Sequence, residues 1–262
     1  MQKKELIPIV KNMEHPITRK VIRQILQNAN PKLQTAILIA SSGGLCIGEL
    51  AQLRLFDVDF TTTPTKILVR AISKGKMSRE TFITEEATIV LKDYLKKYFG
   101  WHQNSLNLDL SHIYIFGKAS EINNNIRRFN ATSVKQSMQV SLRNHIKNIP
   151  ELAVKNEKGG NVINFQVFRK YFKTVVGNVC GIDYAEALVG NDLYMDRHYQ
   201  LSSEEKHQKY LSAEPYLIIS DFEKAEQLVI DLSDIYIQLE KSMSNLKQYL
   251  VSNNIPIPVC HF

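Results

Sequence analysis

The sequence has little cysteine, and its cysteines lie far apart. Three occur in 262 residues, at Cys46, Cys180 and Cys260, too few and too scattered for a disulfide framework or a zinc site. Long apolar runs are also missing, since no stretch approaches the roughly 18 consecutive apolar residues that a membrane span needs. The first sixteen residues lack the apolar core of a secretory signal. These absences predict a cytoplasmic protein with no metal site and no membrane contact.

The charge is unevenly distributed along the chain. Apolar residues make up 44% and charged residues 23%, which is typical of a folded protein. The net charge is +7, but the first 180 residues sum to +14 and the last 82 to −7. A basic region of this size indicates a polyanionic partner, above all nucleic acid. A solvated basic face gives the same charge, so the charge alone leaves both interpretations open.

Apolar spacing predicts helices over most of the chain, interrupted by one β-hairpin. The glycine- and serine-rich stretch 41–44 is expected to end the second helix. β-branched runs at 66–72 and 81–83 flank a basic loop, which predicts the hairpin. Residues 112–116 form a short strand or an extended buried segment. The predicted helices cover 17–26, 32–40, 47–53, 85–99, 120–129, 133–148, 167–179, 183–189 and 203–213.

The C-terminal part carries a nearly heptad apolar pattern. Two interpretations stay open: a self-associating coiled coil, or a terminal helix packed on its own domain. The predicted organisation is a leader at 1–14, a main domain at 15–217 and a helical tail at 218–262. The apolar positions of the tail are Leu228, Leu232, Ile235, Leu239, Met243, Leu246 and Leu250.

Three segments far apart in the sequence carry motifs in a fixed order: Gly44-Leu-Cys-Ile-Gly-Glu-Leu50, Gln166-Val-Phe-Arg-Lys-Tyr-Phe172 and Leu188-Val-Gly-Asn191. Together with Lys74 and Tyr199, they resemble the motifs of the tyrosine recombinases, or phage-type integrases, and especially of their archaeal branch. The first family box, G-L-R-I-x-E-L, is matched by residues 44–50 except that Cys46 replaces the arginine. The second box, H-x-L-R-x-x-F, falls on residues 166–172 and keeps Arg169. The third box, L-x-G-H, falls on residues 188–191. The resemblance covers residues 16–217, including the stretch 202–217 that follows the nucleophile in archaeal members.

The remaining family positions follow from spacing. The family lysine lies in a hairpin, five residues before an arginine, and Lys74 stands five before Arg79. Lys76, in the same loop, is the alternative to Lys74. The family nucleophile comes eight or nine residues after the third box, which selects Tyr199 over the nearby Tyr194.

The resemblance implies a metal-free and cofactor-free reaction on double-stranded DNA. A tyrosine hydroxyl attacks a backbone phosphorus, forms a 3′-phosphotyrosyl bond and releases a 5′-hydroxyl. Two arginines bind the non-bridging oxygens, where negative charge develops. The hairpin lysine donates a proton to the leaving oxygen, and the second-box histidine acts as an acid or base. The glutamate of the first box, Glu49 here, orients its neighbours.

Three family positions carry other residues. Cys46 cannot form the two-pronged contact of an arginine with phosphate. Gln166 and Asn191, in place of the two histidines, offer amide donors but exchange no protons near neutral pH. The loss of one such donor costs about 10²–10³ in rate. The departures favour a slowed recombinase, and they leave open an inactive DNA-binding protein or an assembly module.

The expected fold is α+β: a mainly helical tyrosine-recombinase catalytic domain with a small antiparallel sheet and a long C-terminal helix. A homo-oligomer on DNA is expected, with no small-molecule cofactor. We expect the separate N-terminal helical domain with which most members enclose DNA to be missing here, either because this chain is a fragment or because its ancestor lost that arm. The predicted catalytic positions are Tyr199, Arg169, Lys74, Cys46, Gln166 and Asn191, and the predicted DNA contacts are Lys76, Arg79, Lys170 and Lys173.

Overall fold

The computed structural model describes residues 17–71, 78–101, 113–117, 129–155, 159–190, 201–220, 236–246 and 252. Helices make up most of the described chain, and residues 236–246 are also helical. The predicted leader and the predicted helix at 120–129 lie outside the described residues, apart from residue 129. The helices are α1 (Arg19–Leu26), α2 (Pro31–Gly43), α3 (Ile47–Ala51), α4 (Glu85–Phe99), α5 (Ala131–Lys147), α6 (Phe165–Cys180), α7 (Ile182–Val189) and α8 (Ser203–Leu217).

Side-chain caps fix where several helices begin. Thr84 accepts a hydrogen bond from the backbone N–H of Ala87 at the start of α4, and Asn30 and Asn130 cap α2 and α5 in the same way. These residues satisfy backbone donors that have no partner inside the helix. Because the caps are local, the sequence predicts α4 with its observed bounds.

The prediction that residues 41–44 break the second helix is wrong for the first three of them. The Ser41 hydroxyl donates to the Ile37 carbonyl at 2.8 Å, and the Ser42 hydroxyl donates to Leu38 at 2.7 Å. The serines thus bond within the helix, which continues to Gly43. Gly44 ends it with φ +67, and a Cβ there would lie 2.4 Å from the Phe172 ring. Glycine therefore permits both the turn and the close approach of α6.

A three-stranded antiparallel sheet contains the predicted hairpin. Its strands, in the order β1-β2-β3, are β1 (Val58–Asp59), β2 (Thr65–Val69) and β3 (Arg79–Ile83). The β2–β3 pairing sets Val69 opposite Arg79, so the hairpin prediction is confirmed. The pattern missed β1, because two residues are too short to show alternation.

The core is built around α2. Its residues from Leu33 to Gly43 are all buried except Gln34. Helices α4 and α6 pack against α2, and β3 lies alongside it. The apolar side of α6, including Phe168 and Phe172, is fully buried there. The predicted mainly helical α+β fold with a small antiparallel sheet is confirmed.

Contacts divide the chain into two units, Met1–Ile219 and Ser220–Phe262. In the second unit, residues 236–246 are all exposed, including the apolar Leu239 and Met243. The predicted domain boundaries stay predictions. Among the described helices, none has the length and apolar character to cross a membrane.

Candidate functional site

The turn after α2 leads into a short helix that carries a buried carboxylate. Cys46 precedes α3 as its N-cap, and its backbone N–H donates to Glu49 Oε2 at 2.7 Å. The carboxylate thus folds back onto the start of its own helix, where the helix dipole favours negative charge. The side chain of Glu49 is only 2% exposed. A buried carboxylate of this kind needs cationic partners.

Arg79, the first residue of β3, is one of those partners. Its NH1 and NH2 groups donate to Glu49 Oε1 and Oε2 at 2.8 and 3.0 Å, a two-pronged ion pair. Its Nε donates to the carbonyl of Leu188 at 2.7 Å. The start of the second hairpin strand is therefore tied both to α3 and to the end of α7.

Arg169, on α6, is the second partner. Its NH1 group donates to the Gly44 carbonyl at 2.7 Å and to Glu49 Oε2 at 3.0 Å. Its NH2 group donates to the carbonyl of Val189. We call Glu49, Arg79 and Arg169 the arginine–glutamate cluster. Its two guanidinium groups bind consecutive carbonyls in the last turn of α7, where the helix dipole is negative.

The cluster carries a net positive charge, because two guanidinium groups share one carboxylate. Burial alone would raise the pKa of Glu49, but the hydrogen bonds and charges of Arg79 and Arg169 lower it to about 2. Burial lowers the pKa of Arg169, with the Arg79 charge acting in the same direction and Glu49 opposing both. Glu49 is therefore ionised throughout the neutral range.

The exposed side of α6 begins beside the cluster. Gln166 lies three residues before Arg169 and is exposed, and its backbone N–H donates to the Asn164 cap at 2.9 Å. Lys170 is exposed. Lys173, one turn further on, forms an ion pair with Glu186 of α7. These positions follow one another along one helix face at spacings of three and four residues.

The structure brings three of the predicted site residues together from separate segments. Cys46 is half-buried, and its backbone N–H donates to Glu49. The side chains of Arg79 and Arg169 are only 8% and 9% exposed. Gln166, Lys170 and Lys173 lie along α6, and four predicted residues, in 72–77 and 191–200, lie outside the described residues; they are Lys74, Lys76, Asn191 and Tyr199. The catalytic and DNA-binding roles assigned from sequence stay predictions.

Sequence reasoning missed the backbone partners of the two arginines. Every residue has a carbonyl, so the carbonyls of Leu188 and Val189 leave no signal in the sequence. The signal that could have indicated the contact is Gly190, which ends α7 with φ +70. A Cβ at Gly190 would lie 2.8 Å from Arg79 Cδ, so glycine leaves room for the arginine.

Within the part of the chain that the structure describes, no group of three His, Cys, Asp or Glu side chains is placed to hold a metal ion. The chemistry available among these residues is that of fixed cations and amide donors. Such groups bind an oxyanion and stabilise charge that develops on it.

Comparisons with known proteins agree with the motifs. The sequence profile of the phage integrase family matches residues 16–190, which is more than half of the chain. No curated protein sequence matches this chain.

Solved structures of recombinases are also similar to this chain. The XerA recombinase shares 17% identity over 76% of this chain and 65% of its own, with a TM-score of 0.48. The Tn1549 transposon integrase, in complex with circular intermediate DNA, shares 15% over 78% and 66%, with a TM-score of 0.47. The same integrase on transposon right end DNA shares 17% over 89% and 70%, with a TM-score of 0.49. This chain thus spans slightly less than two thirds of the first two.

Proposed function

Because the chain belongs to the phage integrase family, we propose that it binds double-stranded DNA and acts in DNA integration or site-specific recombination. Cleavage proceeds through a 3′-phosphotyrosyl intermediate on Tyr199. The observation that carries the proposal is the arginine–glutamate cluster, in which Arg169 of the second box meets Glu49 of the first. The two boxes lie 120 residues apart, and the fold joins them at one point.

The proposed reaction is a transesterification that needs no cofactor. The Tyr199 hydroxyl gives up its proton to water, and its oxygen forms a bond to phosphorus as the bond from phosphorus to the 5′-oxygen breaks. The 5′-oxygen takes a proton from Lys74. Arg169 binds a non-bridging oxygen, where negative charge develops. Of its five N–H donors, the contacts with described residues use three, at Gly44, Glu49 and Val189. The others can bind phosphate.

We propose that three residues lower the rate of strand cleavage. Cys46 gives the phosphate no second guanidinium, and Gln166 and Asn191 donate hydrogen bonds without exchanging protons. These substitutions also support a second candidate, an inactive DNA-binding protein that occupies recombination sites or assembles with an active partner. The half-buried cysteine at the N-cap of α3 is the observation that favours it.

A nicked suicide substrate distinguishes a slowed recombinase from an inactive DNA-binding protein. The nick lets the released 5′ fragment diffuse away, so a cleaving enzyme accumulates as a covalent protein–DNA adduct. A library of nicked duplexes removes the need to know the target sequence. The recombinase proposal expects an adduct that Tyr199→Phe abolishes and the control Tyr194→Phe retains. DNA binding without any adduct supports the second candidate.

Binding to duplex DNA is expected to fall steeply with salt. Each phosphate neutralised by a lysine or arginine releases counterions, so six such contacts lower affinity roughly 10³-fold between 50 and 200 mM salt. The +14 charge of the first 180 residues supports contacts on this scale. Fluorescence anisotropy over a salt series measures the slope of log affinity against log salt. A flat plot would remove nucleic acid as the partner.

Substituting single lysines shows which of them contact phosphate. Lys170→Ala is expected to reduce the slope by about 0.9, the value of one phosphate contact. Lys241→Ala removes the same charge from the acidic C-terminal region, where the side chain is exposed. This control is expected to leave the slope unchanged.

We propose that the chain assembles into a homo-oligomer on DNA through its tail. The helical residues 236–246 expose Leu239, Met243 and Leu246, at spacings of four and three, and these spacings match a coiled-coil seam.

Leu239→Glu with Met243→Glu is expected to lower the mass measured by light scattering, whereas Gln238→Glu on the same helix is not. Deletion of 221–262 should also give a smaller assembly. An unchanged assembly in these variants would favour a tail packed on its own domain.

Two finer assignments complete the proposal. The stretch that ends α8, Ala213-Glu-Pro-Tyr-Leu217, supports a place in the archaeal branch. A cytoplasmic location follows from the proposed DNA substrate.

A further inference from the structure

With the described residues, Arg79 makes three hydrogen bonds, to the two carboxylate oxygens of Glu49 and to the carbonyl of Leu188. From this geometry we infer that Arg79 is a positioning residue, which fixes Glu49 and the end of α7 so that both can orient Arg169. The inference rests on the proposed function, because the residue that Arg79 orients acts on DNA phosphate. It changes the role of Arg79 from the DNA contact expected from sequence.

The shared atoms carry this inference. Glu49 Oε2 accepts from Arg79 NH2 and from Arg169 NH1, both at 3.0 Å. The two arginines also bind adjacent carbonyls, Leu188 for Arg79 and Val189 for Arg169. Arg79 thus binds Glu49, which Arg169 also binds, and the carbonyl directly before the Val189 carbonyl that Arg169 binds. Any movement of Glu49 or of the last turn of α7 would turn the guanidinium of Arg169.

All three guanidinium nitrogens of Arg79 donate to protein groups, which favours a fixed position over a contact with DNA. Its side chain is 8% exposed, and Gly190 leaves space for its Cδ where a Cβ would lie at 2.8 Å. If the guanidinium swung out to a phosphate, Glu49 would lose two of its hydrogen bonds while it stayed buried. A buried carboxylate that loses a partner is costly. The contacts therefore keep Arg79 in place.

The test separates cleavage from binding. In Arg79→Gln and Arg79→Lys, single-turnover adduct formation on nicked duplex is expected to fall at least about tenfold, because small misplacements of a reacting group are costly. Affinity for DNA and the salt slope are expected to stay unchanged. Arg79→Lys keeps the positive charge beside Glu49, so it still tests the inference if Arg79→Gln fails to fold. Its loss of cleavage rate should be smaller than that of Arg79→Gln. The same measurements are repeated in a Cys46→Arg background, so that the effect of the Arg79 variants can be measured even when the native chain cleaves slowly.

Arg70 provides the matched control. Its NH2 group donates to Asp57 at 2.7 Å and to the Gln52 carbonyl at 2.9 Å, so it also joins a buried carboxylate to a backbone oxygen. It makes no hydrogen bond to Arg169 or to the end of α7 among the described residues. Arg70→Gln is expected to lower cleavage less than twofold.

A double-mutant cycle distinguishes positioning from a general loss of structure. Arg169→Lys already changes the group that Arg79 orients, so Arg79→Gln is expected to cost much less in that background than in the native chain. Equal losses in both backgrounds, or a salt slope reduced by about 0.9, would overturn the inference while cleavage itself persists. If neither the native chain nor Cys46→Arg forms an adduct, the proposed cleavage function fails, and the inference fails with it.

Discussion

Glu49→Gln is expected to lower the free energy of unfolding by about 3 kcal/mol at pH 7. The pKa of Glu49 is about 2 in the folded chain against an ordinary value of 4.5, and each unit of difference is worth about 1.4 kcal/mol. The side chain is almost fully buried, so solvent screens the ion pairs little. Glutamine would leave both guanidinium groups without a counter-ion, and broken buried ion pairs cost on the order of 3–5 kcal/mol. Urea unfolding measures the difference.

The pH dependence of this difference has a definite sign. The folded pKa of Glu49 lies below the unfolded value, so its contribution is complete above pH 4.5 and is lost as the pH falls towards 2. The native chain and Glu49→Gln should therefore converge in stability between pH 4.5 and pH 2.

Glu80 provides the control for this stability prediction. It lies next to Arg79 in the sequence, and its carboxylate forms an ion pair with Lys66 at 3.9 Å at a partly exposed site. Exposed pairs contribute at most about 1 kcal/mol, so Glu80→Gln should cost less than that. Equal effects of Glu49→Gln and Glu80→Gln would contradict the role of the buried cluster. A difference that stays constant with pH would contradict the lowered pKa of Glu49.

Cys46→Arg is expected to raise strand cleavage at least about 10²-fold, the scale of one donor to the developing charge. The supporting structure is in place, with the turn at Gly44, the buried Leu45 and the Cys46 N–H bound to Glu49. Glu49 already accepts four hydrogen bonds from Cys46, Arg79 and Arg169, three of them on Oε2 and one on Oε1. The new guanidinium would join a cluster whose carboxylate already has two cationic partners, which leaves its donors available to phosphate.

Binding should change far less than cleavage in this variant. A guanidinium exposed at position 46 contributes little to the ground state, whereas it stabilises the charge of the transition state strongly. Gln166 and Asn191 limit the recovery, because acid–base chemistry is not restored. The measurement is single-turnover adduct formation on nicked duplex, beside a DNA affinity titration.

Cys180→Arg is the matched control for Cys46→Arg. It adds the same charge on α6, eleven residues beyond Arg169 and so about 16 Å along the helix. No gain in cleavage is expected from it. If Cys46→Arg binds DNA and still forms no adduct through Tyr199, the slowed-enzyme proposal fails and the DNA-binding proposal stands.

The sequence alone predicted the elements whose signals are local. Helix α4 has its predicted bounds because its caps, Thr84 and Gly100, lie directly beside it in the sequence. The β-hairpin followed from its β-branched runs. The prediction failed at Ser41 and Ser42, because the turn-forming tendency of serine was overridden when both hydroxyls bonded within a buried helix.

The motifs also determined the family, since their residue types and order suffice for that. What Arg79 and Arg169 bind was decided only by the tertiary structure. The contacts of Arg79 with Glu49 and Leu188 span 30 and 109 residues, and that of Arg169 with Glu49 spans 120. One of these three contacts is to a backbone carbonyl, a group that every residue has. A sequence shows which cations are present, but packing decides whether each one faces DNA or a buried carboxylate.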